Sequence, residues 1–301
     1  MTQTLKRRNK MELVYLYLIS PLHTGGTSQE GNLLGIARES HTDLPYVPSS
    51  TIRGRLRASE SDDWKRLELF GVEMDDLKGD DKKDNSDGDK QNRKEALHLR
   101  YRGKHGKDLT QLEQGSIWIG DGSILWLPVP SLSHGVVWVS CPMLLRRWLR
   151  LSGGNSSNAP NPYDTNLGTN ASVYLKDAIL PAASLTNRED LKQFMTNHPE
   201  ASGMENVLVL EDQHCATLIQ MSLWRQVKIK LDEHKTVDGG FRYEEAIPPD
   251  TLMYFSWGVT SQANGNSESA ASSFQTQLDE HQILQIGGQE SLGRGFVQLF
   301  N

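Results

Sequence analysis

Residues 11–20, MELVYLYLIS, constrain the fold more than any other stretch. Leu13, Tyr15 and Tyr17 alternate against Val14, Leu16 and Leu18, which is the period of a strand with two apolar faces. Such a strand belongs inside a sheet, covered on both sides. It is too short for a membrane, since no apolar run in the chain reaches the ~18 residues a spanning helix needs. The preceding residues are basic, but no small-residue cleavage site follows. The start is therefore not read as a signal peptide.

The other periodic segments mix both kinds of element. PSSTIRGRLR at 48–57 starts a helix behind a serine cap, and DDWKRLELF at 62–70 reads as a second one. Asp121-Gly122, between the β-rich runs of 116–140, signals a hairpin. Pro142 opens a helix, PMLLRRWLRL. Further helices are expected at 186–197, near 212–222 and at FQTQLDEH. Strands are expected at 205–210, 227–231 and 252–259, and 261–273 reads as loop. The chain ends as strand, glycine-rich loop and strand. This order is α+β and lacks the βαβα alternation of a doubly wound sheet. With 301 residues the chain can bury a sizeable core. Cys141 and Cys215, far apart in apolar contexts, fit reduced thiols in a cytoplasmic protein.

A formal net charge of -6 counts against a general nucleic-acid coat, but the charge is unevenly spread. Residues 1–57 carry eight bases against four acids, a net of +4. Residues 75–95 carry eight acids against six bases and almost nothing apolar, so they read as flexible and solvated. A calcium loop fails there, because Lys83 stands where the motif needs its first Asp.

Three segments could carry chemistry. In PSSTIRGRLR the free N–H groups of a helix start suit a phosphate, and Arg53 and Arg57 share a face while Arg55 points elsewhere. The loop 23–45 offers His23, Glu30, Glu39, His41 and Asp43 as groups for attack by a 2′-hydroxyl. IGGQESLGRGF at 286–296 is neither a P-loop nor a dinucleotide fingerprint, because a strand follows it. Its glycines can bring main-chain N–H groups against an RNA backbone or form a tight turn needing positive φ.

Four segments together resemble one family: PLHTGG through ARESHTDLPYVPSSTIRGRLR (21–57), SIWIGDGSILWLPVPSLSHGVVWVSCPMLLRRWLR (116–150), VKIKLDEHKTVDGGFRYEEAIPPDTLMY (227–254) and ILQIGGQESLGRGF (283–296). They are similar to the RAMP superfamily and, more narrowly, to the backbone subunit of type III-B (Cmr) CRISPR antiviral effector complexes. The resemblance implies an α+β fold: an RRM-like (ferredoxin-like) palm with long insertions and a projecting β-hairpin thumb. The palm would use 11–72, 116–151 and 205–301, with a charged flexible insertion at 73–115. The thumb or an excursion would lie in 152–205, with 232–243 as the alternative. Implied partners are guide crRNA, target RNA, copies of the chain in a filament and other type III effector subunits, with no membrane.

The resemblance assigns RNA binding to Arg38, Ser49, Ser50, Arg53, Arg55, Arg57, Gly287, Gly288, Gly293, Arg294 and Gly295. It also exposes a departure. The family's target-cleaving Asp lies five residues before an Arg followed by an acid. Counted back from Arg38-Glu39, that position is Leu33, with Asn32 beside it. Glu30 is the nearest acid. Either Glu30 substitutes, with a divalent metal such as Mg2+, or the subunit binds RNA without cutting; binding itself needs no cofactor. The competing reading is a stand-alone endoribonuclease that processes precursor guide RNA, with His23 or His41 as general base.

Overall fold

The computed structural model describes residues 11–25, 29–30, 33–77, 88–106, 108–196, 198–261 and 267–301. The strands are β1 (Glu12–Leu18), β2 (Gln29–Glu30), β3 (Leu33–Leu34), β4 (Tyr46–Val47), β5 (Ile117–Ile119), β6 (Gly122–Ser131), β7 (Gly135–Ser140), β8 (Asp164–Thr165) and β9 (Val173–Leu175). They continue as β10 (Ala178–Leu180), β11 (Thr186–Asn187), β12 (Val207–Val209), β13 (Trp224–Leu231), β14 (Val237–Ala246), β15 (Leu252–Val259), β16 (Ile283–Gln285) and β17 (Phe296–Phe300). The helices are α1 (Ser49–Ser59), α2 (Asp63–Phe70), α3 (Met74–Leu77), α4 (Gly88–His105), α5 (Pro142–Leu151), α6 (Asp212–Met221) and α7 (Ser267–Glu280). Among the described residues no helix is long and apolar enough to cross a membrane.

Two compact units emerge. The larger comprises Met11–Ile52, Gly120–Ser256 and Gln282–Asn301, and the smaller, among described residues, Arg53–Ile119 and Trp257–His281. In the larger unit a long mixed sheet runs β11-β8-β12-β7-β6-β15-β1-β17-β16. β1 lies inside it, as its two apolar faces require. Val14, Leu16 and Leu18 are sealed on one face. Leu13, Tyr15 and Tyr17 pack on the other, against the cluster of Trp126, Trp148 and Phe300. The antiparallel register of β1 with β17 sets Tyr15 opposite Phe300, and their rings stack at 5.7 Å.

α5 starts at Pro142, where a missing N–H is harmless. It buries Leu144, Leu145, Trp148 and Leu149 as one stripe, each worth about 1.5–3 kcal/mol on sequestering.

Several local expectations are corrected. Asp121-Gly122 is not a hairpin turn, because β5 and β6 each pair with β15 rather than with one another. Instead Gly122 allows β4 to approach, since a Cβ there would stand 3.0 Å from that of Val47. The hairpin closes further on, where Ser131 faces Gly135 at φ +71. The helix expected at 186–197 is a short strand followed by a 3-10 turn at Glu189–Phe194. α7 takes in 267–273, read from sequence as loop.

Segment 152–205, expected to hold thumb material, is woven into the core. Leu191, Phe194, Met195, Ala201 and Met204 join the main cluster, and fully buried Trp126 donates its indole N–H to the Phe194 carbonyl at 3.0 Å.

The smaller unit is mainly helical. The Asp62 carboxylate caps α2 by accepting from the N–H groups of Trp64 and Lys65. Trp64, Leu67, Val72, Leu97, Tyr101 and Leu109 form its cluster. The 73–115 insertion is therefore partly ordered: α4 spans Gly88–His105 and anchors through Leu97 and Tyr101, with the Arg100 guanidinium 4.5 Å from the Trp64 ring. Residues 78–87 lie outside the described residues.

Candidate nucleic-acid interface

The glycine loop joins β16 to β17, and backbone proximity dictates its glycines. Gly295 has φ +80, and a Cβ there would lie 1.9 Å from the Ile286 carbonyl oxygen. Gly287 has φ +84, and its Cβ would lie 2.4 Å from the carbonyl oxygen of His23. The Gly288 N–H donates to that same oxygen at 2.7 Å, and the Gly295 N–H donates to Pro21 at 3.0 Å. Gly293 donates to Glu290. The amides of Gly288, Gly293 and Gly295 therefore hold the loop together and bind it to residues 21–23, so they do not face outward as donors.

Arg294 also turns inward. Its side chain is buried, donates to the Gln226 amide oxygen at 2.8 Å and stands 3.7 Å from the Glu244 carboxylate. His23 is buried too, with Nδ1 2.9 Å from the main-chain oxygen of Glu245. A carbonyl oxygen only accepts, so that contact places a hydrogen on Nδ1. The Glu30 main chain pairs with Leu33 in the β2–β3 ladder, and β3 runs parallel to β14 with Leu33 beside Tyr243. Asn32 lies outside the described residues.

At the start of α1 the Ser49 N–H is already taken by the Asp121 carboxylate at 2.7 Å, while Ser50 is exposed. An acid thus occupies part of the place expected for a phosphate. In the smaller unit, Arg57 is buried between the Gly71 carbonyl (2.7 Å), Asp76 (2.6 Å) and Glu73 (3.0 Å). Arg53 donates to the Phe70 carbonyl and retains partial exposure. Arg55 is half-buried, and its Nε finds no hydrogen-bond partner among the described residues. Of the three, Arg57 is structural, and Arg53 and Arg55 keep surface for a ligand.

Two carboxylates missed at the sequence level organise the larger unit's site. Glu244 and Glu245 are both fully buried. Glu244 faces Lys228 (2.8 Å), Arg242 (3.2 Å) and Arg294 (3.7 Å). Glu245 faces Arg38 (2.5 Å) and Arg225 (3.2 Å). Arg38 is therefore tied down as well, with a further bond to the Asp43 carbonyl. The clue lay in the adjacent acids of FRYEE and the cations of WRQVK, which paired strands bring together, Arg225 opposite Glu245 and Lys228 diagonal to Glu244.

These residues root a ribbon of β13 and β14, which β3 and β2 extend into a four-stranded sheet. Opposed pairs share a face, so Val227 with Tyr243 and Ile229 with Phe241 make one side apolar. Lys228 with Arg242 makes the other basic. Val227, Ile229, Phe241 and Tyr243 are between 41% and 52% exposed, unusual for side chains of this size.

Two carboxyls here are shifted for a stated reason. Burial alone would raise Glu244, but Lys228 and Arg294 outweigh it and hold the group below its ordinary value. Burial likewise acts on Glu39, where Arg147 and the Thr42 hydroxyl (2.6 Å) prevail and lower it. A lowered carboxyl stabilises fully above its unfolded value and loses that contribution as pH falls through the folded one. Stability followed by near-UV circular dichroism is thus expected to hold from pH 7 down to about 4.5 and fall below it.

The sequence model of the RAMP superfamily matches residues 15–298. The CRISPR system Cmr endoribonuclease Cmr4 of Pyrococcus furiosus is 28% identical, covering 96% of this chain and 95% of that protein. The crystal structure of oligomeric Cmr4 from Pyrococcus furiosus is similar with a TM-score of 0.62 at 22% identity, covering 96% of each chain. A chain of the type III-B Cmr-beta complex bound to cognate target RNA is similar with a TM-score of 0.64 at 20% identity, covering 97% of each.

Proposed function

Because this chain belongs to the RAMP superfamily, we propose that it is a guide-RNA-binding backbone subunit of a type III-B CRISPR effector, repeated along the guide and positioning target RNA. Its larger sheet would be the RRM-like palm and the β13–β14 ribbon the thumb, which contains the alternative thumb position 232–243. Its partners would be guide crRNA, target RNA, further copies of itself and other subunits of the complex.

The observation that carries this reading is the charge at the ribbon root. Five cations, Arg38, Arg225, Lys228, Arg242 and Arg294, converge on two buried carboxylates. The positive surplus lies beside the glycine loop, with the side chains of Arg225 and Arg242 more than half exposed. Such a surplus attracts a phosphate backbone without reading its sequence, as a subunit needs when base pairing supplies specificity. The apolar face of the ribbon supplies aromatic surface against which bases can stack.

Binding of single-stranded RNA is expected to weaken linearly on a log–log plot against salt. Arg225→Gln with Arg242→Gln is expected to reduce the slope by about 1.4, two phosphate contacts at about 0.7 each. A flat wild-type slope measured by fluorescence anisotropy removes RNA as the ligand.

For cleavage, apolar Leu33 offers no carboxylate, so Glu30 is the acid that would hold Mg2+ near the 2′-hydroxyl. The reconstituted complex with wild-type subunit, compared with Glu30→Ala, decides this. Cutting in the wild type that disappears in the variant assigns the acid. Cutting unchanged in the variant excludes Glu30, and no cutting in either makes the subunit a binder alone. A nuclease with His23 as general base is disfavoured by the burial of that imidazole, which keeps it from a solvent-borne 2′-hydroxyl.

A further inference from the structure

Glu244 and Glu245 are adjacent in β14, so their side chains leave opposite faces of the ribbon. Burying one carboxylate is costly unless it is paired, and here two are buried in succession. The partners are divided in a consistent way. Each acid holds the ribbon itself, Glu244 through Lys228 and Arg242 and Glu245 through Arg225. Each also holds one cation from elsewhere: Arg294 of the glycine loop for Glu244, and Arg38 for Glu245. Gln226 of β13 adds a second tie to Arg294. The Glu245 carbonyl adds one to His23, whose own carbonyl accepts from Gly288.

We propose that Glu244 and Glu245 are positioning residues, a two-headed clasp that locks the β13–β14 ribbon to the glycine loop and to the Arg38 segment so that the three move as one body. The consequence for RNA rests on the function proposed above; the coupling itself belongs to the free protein. Neither acid is placed to hold a divalent metal, because the cations already around both would repel it. The geometry also explains the inward turn of Arg294. Its charge is used to set the angle of the ribbon, while the exposed cations of the ribbon remain for the ligand.

Amide hydrogen exchange on the full chain without RNA tests this, with Glu244→Gln, Arg294→Gln and the double variant. Arg294→Gln, a change in the glycine loop, is expected to speed exchange across β13 and β14 by at least about tenfold. Glu244→Gln is expected to do the same for residues 286–295, with β1 and β12 unchanged in both. The double variant is expected to fall short of the product of the two singles, because the Glu244–Arg294 link is already lost in each. Effects confined to each variant's own segment, or multiplying in the double, overturn the proposal. If Glu244→Gln does not fold, Arg38→Gln read on β13 and β14 decides by the same criterion through Glu245. Exchange is read without RNA, so failure of the wild type to bind RNA would sink the functional reading and leave the coupling result standing.

Discussion

Gly295→Ala is expected to unfold the glycine loop and destabilise the larger unit by about 3–5 kcal/mol. The added Cβ would lie 1.9 Å from the Ile286 carbonyl oxygen, and that obstacle is backbone, which cannot swing away as a side chain end would. The φ of +80 adds about 1–2 kcal/mol for any L side chain. Relief of the clash also separates two hydrogen bonds, Ile286 N–H to the Gly295 oxygen (2.8 Å) and Gly295 N–H to Pro21 (3.0 Å), each worth about 1 kcal/mol. Gly293→Ala is the control. It shares a positive φ of +72 but has open space within 4 Å, so about 1 kcal/mol is expected. Urea midpoints of the two variants measure the contrast. Similar losses would show that backbone conformation, and not the close approach to Ile286, sets the cost.

Trp126→Ala is the second large effect, expected at about 4 kcal/mol. Trp126 is fully buried in β6, and its removal leaves a cavity amid Leu125, Leu145, Leu191 and Phe194. It also orphans the Phe194 carbonyl, at a further cost of about 1–3 kcal/mol. Trp126→Phe fills most of the space and loses only the hydrogen bond, so about 1–2 kcal/mol is expected. Exchange across residues 189–204 should rise with the loss of stability, because that segment is fastened to the sheet through this indole. If Trp126→Ala leaves those amides as protected as in the wild type, the segment stands independently of the sheet.

Segments whose side chains follow one period were read correctly from sequence. β1 and α5 bury the residues their periodicity marks, and the strand–loop–strand terminus forms as expected. Misreadings occurred where a local signal had two physical uses. Asp121-Gly122 has turn chemistry, yet the Gly serves close packing against Val47 and the Asp caps α1. Residues 186–197 have helical composition, but pairing of Thr186 and Asn187 with β8 claims their start for a strand. In 73–115 the charge density hid Leu97 and Tyr101, two apolar side chains that suffice to seat α4. For the site, composition marked the glycine loop but could not show which way its groups face. Gly288 and Gly295 donate inward, and Arg294 is claimed by Glu244 and Gln226. That claim joins residues distant in sequence, and a one-dimensional pattern holds no record of it.

The ribbon's two unlike faces bear on how the chain behaves in solution. Val227, Ile229, Phe241 and Tyr243 lie on one side, with Lys228 and Arg242 on the other. Salt that screens the cations strips polyanions from the basic side, while excluded salts such as sulfate strengthen association through the apolar side. Low ionic strength reverses both tendencies. Self-association read by light scattering is therefore expected to rise with added sulfate. Where nothing covers the ribbon, its apolar faces can meet one another, so the colloidal stability of the chain depends on what occupies that face.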